Sequence, residues 1–169
     1  TCSPPATSST ATLTVNTPPA ISVQPVSQTV CVGAGASLSV TATGSGLTYQ
    51  WRKDGTPVSG LTGSSFTISS AATTDAGSYD CVVGGTCSPA VISNPATLTI
   101  NSPAGITTQP VNATKCLGEA ASFTVSATGT GVTYQWRKGG SNISGATSTS
   151  YAIASVSAGD AGLYDVVVS

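Results

Sequence analysis

The sequence repeats itself with a period of 85 residues. Trp51 and Trp136 stand 85 apart, as do Cys31 and Cys116, and Cys2 and Cys87. TYQWRK at 48–53 returns intact at 133–138, and TCSPPATSSTATLTVN from Thr1 matches TCSPAVISNPATLTIN from Thr86. Solenoid units run roughly 20–50 residues and bury nothing alone, so a period of 85 makes each repeat a domain in its own right. The phase then divides the 169 residues into three. Residues 1–17 correspond to the last strand of a preceding repeat plus a linker, 18–102 to a full repeat, and 103–169 to a repeat lacking its last strand. The junctions Asn16-Thr17-Pro18-Pro19 and Asn101-Ser102-Pro103 read as linkers stiffened by proline.

Inside a repeat the apolar residues alternate with Ser and Thr, the period of a half-buried strand. In the first full repeat this predicts strands at 21–23, 28–32, 37–43, 47–53, 65–69, 78–83 and 94–100, with a short one near Pro57-Val58. Asp54-Gly55 is a strong hairpin signal between two of them. The chain is therefore expected to be all-β. Charged residues make up 7% of it and the net charge is −1, which leaves no electrostatic footprint for nucleic acid or an anionic membrane surface. No apolar run approaches the ~20 residues of a spanning helix, and no targeting or lipidation motif is present. Five cysteines among so few charges favour an oxidising, extracellular setting, and the odd count leaves at least one thiol free or paired outside the chain.

A Trp on one strand followed by Asp75, Gly77, Tyr79 and Cys81, with Asp160, Gly162, Tyr164 and Val166 in the second copy, resembles the core of an immunoglobulin-like β-sandwich. The resemblance implies tandem sandwiches of about seven strands each. They are trimmed, because the 30 residues from Trp51 to Cys81 leave little or no room for strand D. It places Trp51 and Trp136 in the two cores and makes Tyr79 and Tyr164 corner tyrosines. The inter-sheet disulfide of such domains lacks its strand B cysteine here, since Val40 and Val125 hold that position. Cys81 is thus expected to be a buried free thiol. The recurring Cys31 and Cys116 fall near one end of a sandwich, and Cys2 and Cys87 in the F–G hairpin at the other, on the order of 30 Å away by strand rise. Interdomain or inter-copy bridges are favoured over an intradomain Cys31–Cys87 bridge, which stays the alternative. TYQWRK-like strands, the D-A-G-x-Y run and ATLTVN-like endings resemble the immunoglobulin-like repeats of large bacterial cell-surface adhesins and gliding-type filaments.

Chemistry-bearing residues are sparse. The sequence has no His, so neither a His-activated nucleophile nor an imidazole metal site is expected. Its acids, Asp54, Asp75, Asp80, Glu119, Asp160 and Asp165, do not converge as an acid–base pair, and neither linker carries a carboxylate for calcium. No catalytic residue, metal ligand or cofactor is assigned. If Trp51 lies opposite Cys81, then Arg52 faces Asp80, and Arg137 faces Asp165 by the same count. A ligand contact is one reading of these arginines; recurrence in both repeats favours cross-strand ion pairs that stabilise the sheet. Lys53, Asp54 and the loop 56–64 are the best partner-facing surface by fold analogy. Asn112-Ala113-Thr114 and Asn142-Ile143-Ser144 are formal glycosylation sequons.

These features predict a structural spacer of an extracellular, cell-surface filament or adhesin, whose partners are neighbouring repeats or copies of itself. Two alternatives remain: a module recognising glycan or protein through its end loops, and a subunit assembled by strand donation. In the last case Leu13 and Val15 carry the alternation a donated strand needs.

Overall fold

Alternation sets the strands, and the strands place every large side chain that matters. The computed structural model describes residues 4–169, so Cys2 lies outside the described residues. The chain divides into two compact units, the first built mainly on 36–68 and 77–98 and the second mainly on 99–169. No α-helix occurs among the described residues; only two short 3-10 turns, Thr73–Asp75 and Ala158–Asp160, interrupt the strands.

The first repeat holds β1 (Ala20–Val23), β2 (Gln28–Cys31), β3 (Ala36–Ser39), β4 (Thr41–Thr43), β5 (Thr48–Lys53), β6 (Thr56–Pro57), β7 (Ser65–Ile68), β8 (Gly77–Gly84), β9 (Val91–Ile92) and β10 (Ala96–Asn101). One layer consists of the antiparallel pairs β1-β4 and β3-β7; the other runs β2-β10-β8-β5-β6, with β9 beside β8. Between them lies the core. Leu38 from β3, Phe66 from β7, Trp51 from β5, Tyr79, Cys81 and Val83 from β8, and Ala96, Leu98 and Ile100 from β10 are all buried. Trp51 meets Phe66 edge-on across the layers at 5.0 Å between ring centroids, and Phe66 meets Tyr79 at 5.4 Å. The Asp54-Gly55 turn between β5 and β6 has φ of 49° and 81°, the double positive φ of a type I′ hairpin. No strand D lies between β6 and β7.

One predicted strand is broken and another starts late. The expected strand 37–43 divides at Val40, whose amide donates to Ser64 O at 2.8 Å; beyond it the ladder partner changes from β7 to β1. The expected strand 94–100 forms as β10, starting at Ala96, and a short strand the sequence did not suggest, β9, precedes it across Ser93-Asn94-Pro95. Proline offers no N–H to a ladder, and the buried Ser93 hydroxyl takes the place of a backbone acceptor: it accepts from Cys81 N at 2.9 Å and donates to Asn94 O at 3.0 Å.

The second repeat reproduces this plan with β11 (Gly105–Thr108), β12 (Ala121–Thr124), β13 (Ser126–Thr128), β14 (Tyr134–Lys138), β15 (Ser141–Asn142), β16 (Ser150–Ile153) and β17 (Tyr164–Val168). Its pairs are β11-β13, β12-β16 and β15-β14-β17. Trp136 and Val125 are buried, as Trp51 and Val40 are. Residues 113–116, the counterpart of β2, form no strand. In the first repeat β2 pairs with β10 alone, and no described residue supplies a counterpart of β10 to the second.

Candidate functional site

Two features rise above the general fold: a set of side-chain clamps present in both repeats, and an open edge present in the second.

The clamps start at the tryptophans. Trp51 Nε1 donates to Gly63 O at 3.0 Å and Trp136 Nε1 to Ser148 O at 2.9 Å, so each ring is fixed by a bond as well as by burial. The neighbouring Gln50 Nε2 donates to Trp51 O and Val58 O, both at 2.8 Å; Gln135 does the same to Trp136 O and Ile143 O. These glutamines escaped the sequence reading, although their signal was present: an identical residue in the same place in both copies. On the other side of each Trp, Arg52 Nε and Nη2 meet Asp80 Oδ1 and Oδ2 at 2.7 and 2.8 Å. Arg137 grips Asp165 with the same fork, Nε to Oδ1 at 2.9 Å. The ladder registers Arg52 opposite Asp80 and Arg137 opposite Asp165. Bonding to its partner carboxylate raises the pKa of each guanidinium, and bonding to Arg137 holds the Asp165 carboxyl below its ordinary value.

The turn before β8 in the first repeat and before β17 in the second carries the next clamp. Asp75 Oδ2 accepts from Ala72 N at 2.9 Å, and Asp160 Oδ2 accepts from Ser157 N at 2.8 Å and Ser157 Oγ at 2.6 Å. Those bonds, the hydroxyl's first, lower the Asp160 pKa. Tyr164 Oη donates to Asp160 O at 2.7 Å, closing a tyrosine corner. Lys138 Nζ donates to Gly159 O and lies 5.6 Å from the centre of the Tyr164 ring. Asp54, placed with Lys53 and the 56–64 loop as a partner-facing surface, has an internal task. Its Oδ1 accepts from Ser78 N at 2.9 Å, while the loop carbonyls of Val58, Leu61 and Gly63 accept from Gln50 and Trp51. Glu119 Oε2 likewise accepts from Cys116 N at 2.9 Å.

Cys81 lies buried opposite Trp51, and burial pushes its thiol pKa up. Cys31 and Cys116 are exposed and Cys87 half-buried; all four described cysteines are free thiols, so Cys31 and Cys87 are not bridged to one another. No cluster of three or more His, Cys, Asp or Glu able to hold a metal occurs among the described residues. No helix among them is long and apolar enough to cross a membrane.

The open edge runs along β17. A cavity of about 400 Å³ opens there, lined among others by Leu117, Phe123, Ile153, Val156 and Tyr164. A second of about 190 Å³ adjoins it, with Val111, Phe123, Leu163 and Tyr164 in its wall. Phe123, Tyr151 and Tyr164 are half-exposed where their counterparts Leu38, Phe66 and Tyr79 are buried. Tyr164 stacks on Phe123 at 4.9 Å and on Tyr151 at 5.9 Å, forming an aromatic floor. Leu13 and Val15, the expected donor residues, belong to no strand and are 87% and 78% exposed.

Residues 18–84 match the family model of the immunoglobulin domain. Over 59 residues the chain is 48% identical to the decoration protein of Escherichia phage T5, a stretch covering 34% of this chain and 36% of that protein. Among solved structures, Sidekick-1 immunoglobulin domains 1–4 superpose with a TM-score of 0.72 at 21% identity, over 91% of this chain and 45% of that one. The N-terminal four domains of Dscam1 isoform 6.9 give 0.70 at 25%, over 94% and 44%. A three-domain titin fragment gives 0.69 at 17%, over 90% and 64%. The chain therefore spans about a third of the phage protein and less than two thirds of each of these structures. The fold is the immunoglobulin-like β-sandwich.

Proposed function

We propose that this chain is a non-catalytic structural spacer on an extracellular surface, of the kind found in filaments and adhesins of bacterial cells. One observation carries the reading: what recurs between the two copies is framework. The Trp-to-carbonyl bond, the Gln clamp, the Arg–Asp fork and the Asp-capped turn all return at the same offset. One loop changes more: DGTPVSGLTGS at 54–64 becomes GGSNISGATST at 139–149. A part whose task lies in the fold itself needs that framework and no particular sequence in this loop, which is what a spacer requires. The likeness to a phage decoration protein supports a displayed structural part, and the abundance of Ser and Thr over charge suits an exterior setting.

The test is to build arrays of one, two and four 85-residue periods and measure their greatest dimension by small-angle scattering, alongside binding to glycan and protein arrays. A spacer gives a fixed increment per period and no loop-dependent ligand. A ligand captured with micromolar or better affinity, and lost on replacing loop 54–64 or 139–149, would overturn the reading.

A further inference from the structure

No strand D occurs in either repeat among the described residues, and in the first repeat this leaves β7 at the edge of its layer. β7 pairs with β3 on one side, and no described residue pairs with it on the other. The ladder fixes which backbone groups are left over. Val40 N donates to Ser64 O at 2.8 Å, and the register continues with Ser39 opposite Ser65, Leu38 opposite Phe66 and Ser37 opposite Thr67. Bonded and non-bonded pairs alternate along an antiparallel ladder. Phe66 therefore bonds to β3, while Ser65 and Thr67 turn their N–H and C=O groups away from it. Both residues are exposed, and Phe66 between them is buried. A Cβ on Gly63 would stand 3.0 Å from Ser65 O, so the glycine leaves that acceptor uncrowded. The second repeat has the same strand geometry: Val125 N donates to Thr149 O at 2.9 Å, which turns the backbone groups of Ser150 and Ala152 away from β12.

Exposed edges are ordinarily guarded against pairing by a charge, a proline, a bulge or extreme shortness. Of these β7 has only its shortness, four residues. No charged residue occurs from Gly55 to Thr74 or from Gly33 to Trp51, and no proline from Val58 to Thr74. Its register with β3 runs without a shift. We infer that β7 is a self-association edge, at which β7 of one copy pairs antiparallel with β7 of a second copy about a two-fold axis through Phe66. Ser65 then faces Thr67 across the axis, and Thr67 faces Ser65. The free N–H groups of each edge meet the free C=O groups of the other, and the β3-β7 pairs of the two copies join into one sheet. The contact uses the same patch on both copies and closes on itself. A second copy suits this edge better than a foreign strand because it brings the same length, the same spacing of free groups and no like-charge repulsion. The inference does not rest on the spacer reading, since a ligand-binding module could associate by the same edge.

The experiment uses two forms of the 169-residue chain, each with Cys2, Cys31, Cys87 and Cys116 changed to Ser and Cys81 to Val. One carries Ser65→Cys and the other Thr67→Cys. Oxidation by oxidised glutathione is followed on a non-reducing denaturing gel. Facing residues of an antiparallel pair bring their Cα atoms within disulfide reach, and diagonal neighbours do not. The mixture should therefore give at least ten times more cross-linked dimer than either form alone. In the unmodified chain, sedimentation should show association that rises with concentration. Thr67→Pro removes an outward N–H and leaves the bonds to β3 in place, so it should weaken that association at least tenfold. Thr67→Lys, which sets a charge on the edge, should do the same and serves where the proline form loses the circular dichroism of a β-sandwich. Equal dimer in the mixture and in the single forms, or association indifferent to both Thr67 variants, would overturn the inference. A chain monomeric at every concentration would overturn it too, and binding of a labelled peptide SSFTISS to that monomer would mark a foreign strand as the occupant. Should the cysteine-free background fail to fold, sedimentation of the unmodified chain and its Thr67 variants decides alone.

Discussion

Trp51 and Trp136 are each held twice, by full burial and by a bond from the indole nitrogen. Trp136→Ala should therefore cost ~3–5 kcal/mol, read as a drop in the chemical-denaturation midpoint. Trp136→Phe keeps most of the volume and should cost less, but leaves Ser148 O without its donor. Cys81 is the opposite case. Its thiol is buried and its pKa raised, so the thiolate that reacts is scarce. In the native chain Cys31 and Cys116 should react with a thiol reagent at neutral pH and Cys81 should not. Cys81→Val should shift stability by less than about 1.5 kcal/mol, because it exchanges one small buried side chain for another. A sharp loss would show that this sulfur is bonded. The carboxylates give a third prediction. Asp160 is held below its ordinary pKa by Ser157, and Asp165 by Arg137. A carboxyl with a lowered folded pKa contributes in full above its ordinary value, about 3.9, and loses that contribution as pH falls through the folded value. The second unit should therefore weaken progressively on acidification below about pH 4. Asp160→Asn and Asp165→Asn should flatten that limb in thermal melts taken from pH 7 to pH 2, and an unchanged acid limb in both would refute the assignment.

At the scale of elements, the linkers turn out to be fastened. Ser45 N donates to Thr17 O at 3.0 Å and Thr17 N to Ser45 Oγ at 3.1 Å; in the second repeat Thr130 N donates to Ser102 O and Ser102 N to Thr130 Oγ1. Gly44 and Gly129 make room for this approach. Both have positive φ, and a Cβ on Gly129 would sit 2.8 Å from Pro103 O and 2.9 Å from Ala104 Cα. Gly129→Ala should cost about 1–3 kcal/mol, the range for backbone strain at such positions, and a neutral change in the denaturation midpoint would contradict the pin. Much of the framework was legible in sequence because it is written in short-range code. Period-2 alternation located most strands, and two residues of DG located the hairpin after β5. The linker pins were not legible, since they join residues 28 apart through Ser and Thr, which recur everywhere in this chain. The break at Ser93 was hidden for another reason. Ser93 and Ala96, three residues apart, are both buried, so the alternation changes phase here, and nothing in the sequence marks the Ser93 hydroxyl as the acceptor for the Cys81 amide. Three carbonyls of loop 56–64, those of Val58, Leu61 and Gly63, accept from Gln50 and Trp51, an internal role that its sequence did not announce.

On the scale of the whole chain, the two repeats share a plan and differ, among the described residues, in the pairing of one strand. β8 has partners on both sides, β5 on one and β9 and β10 on the other, whereas β17 has β14 alone among the described residues. An unpaired edge exposes backbone donors and the flank of a core, which is why Phe123, Tyr151 and Tyr164 remain half-exposed. Amide hydrogen exchange on the 169-residue chain tests this difference in pairing most directly. The Cys81 amide points away from β5, toward Ser93, so by alternation the amides of Tyr79 and Val83 do too. Their counterparts on β17 are Tyr164, Val166 and Val168, while Asp165 and Val167 point toward β14. The amides of Tyr164, Val166 and Val168 should exchange at least tenfold faster than those of Tyr79, Cys81 and Val83, with Asp165 and Val167 staying slow. Equal protection of the two sets would contradict this pairing of β8 and β17 in the 169-residue chain.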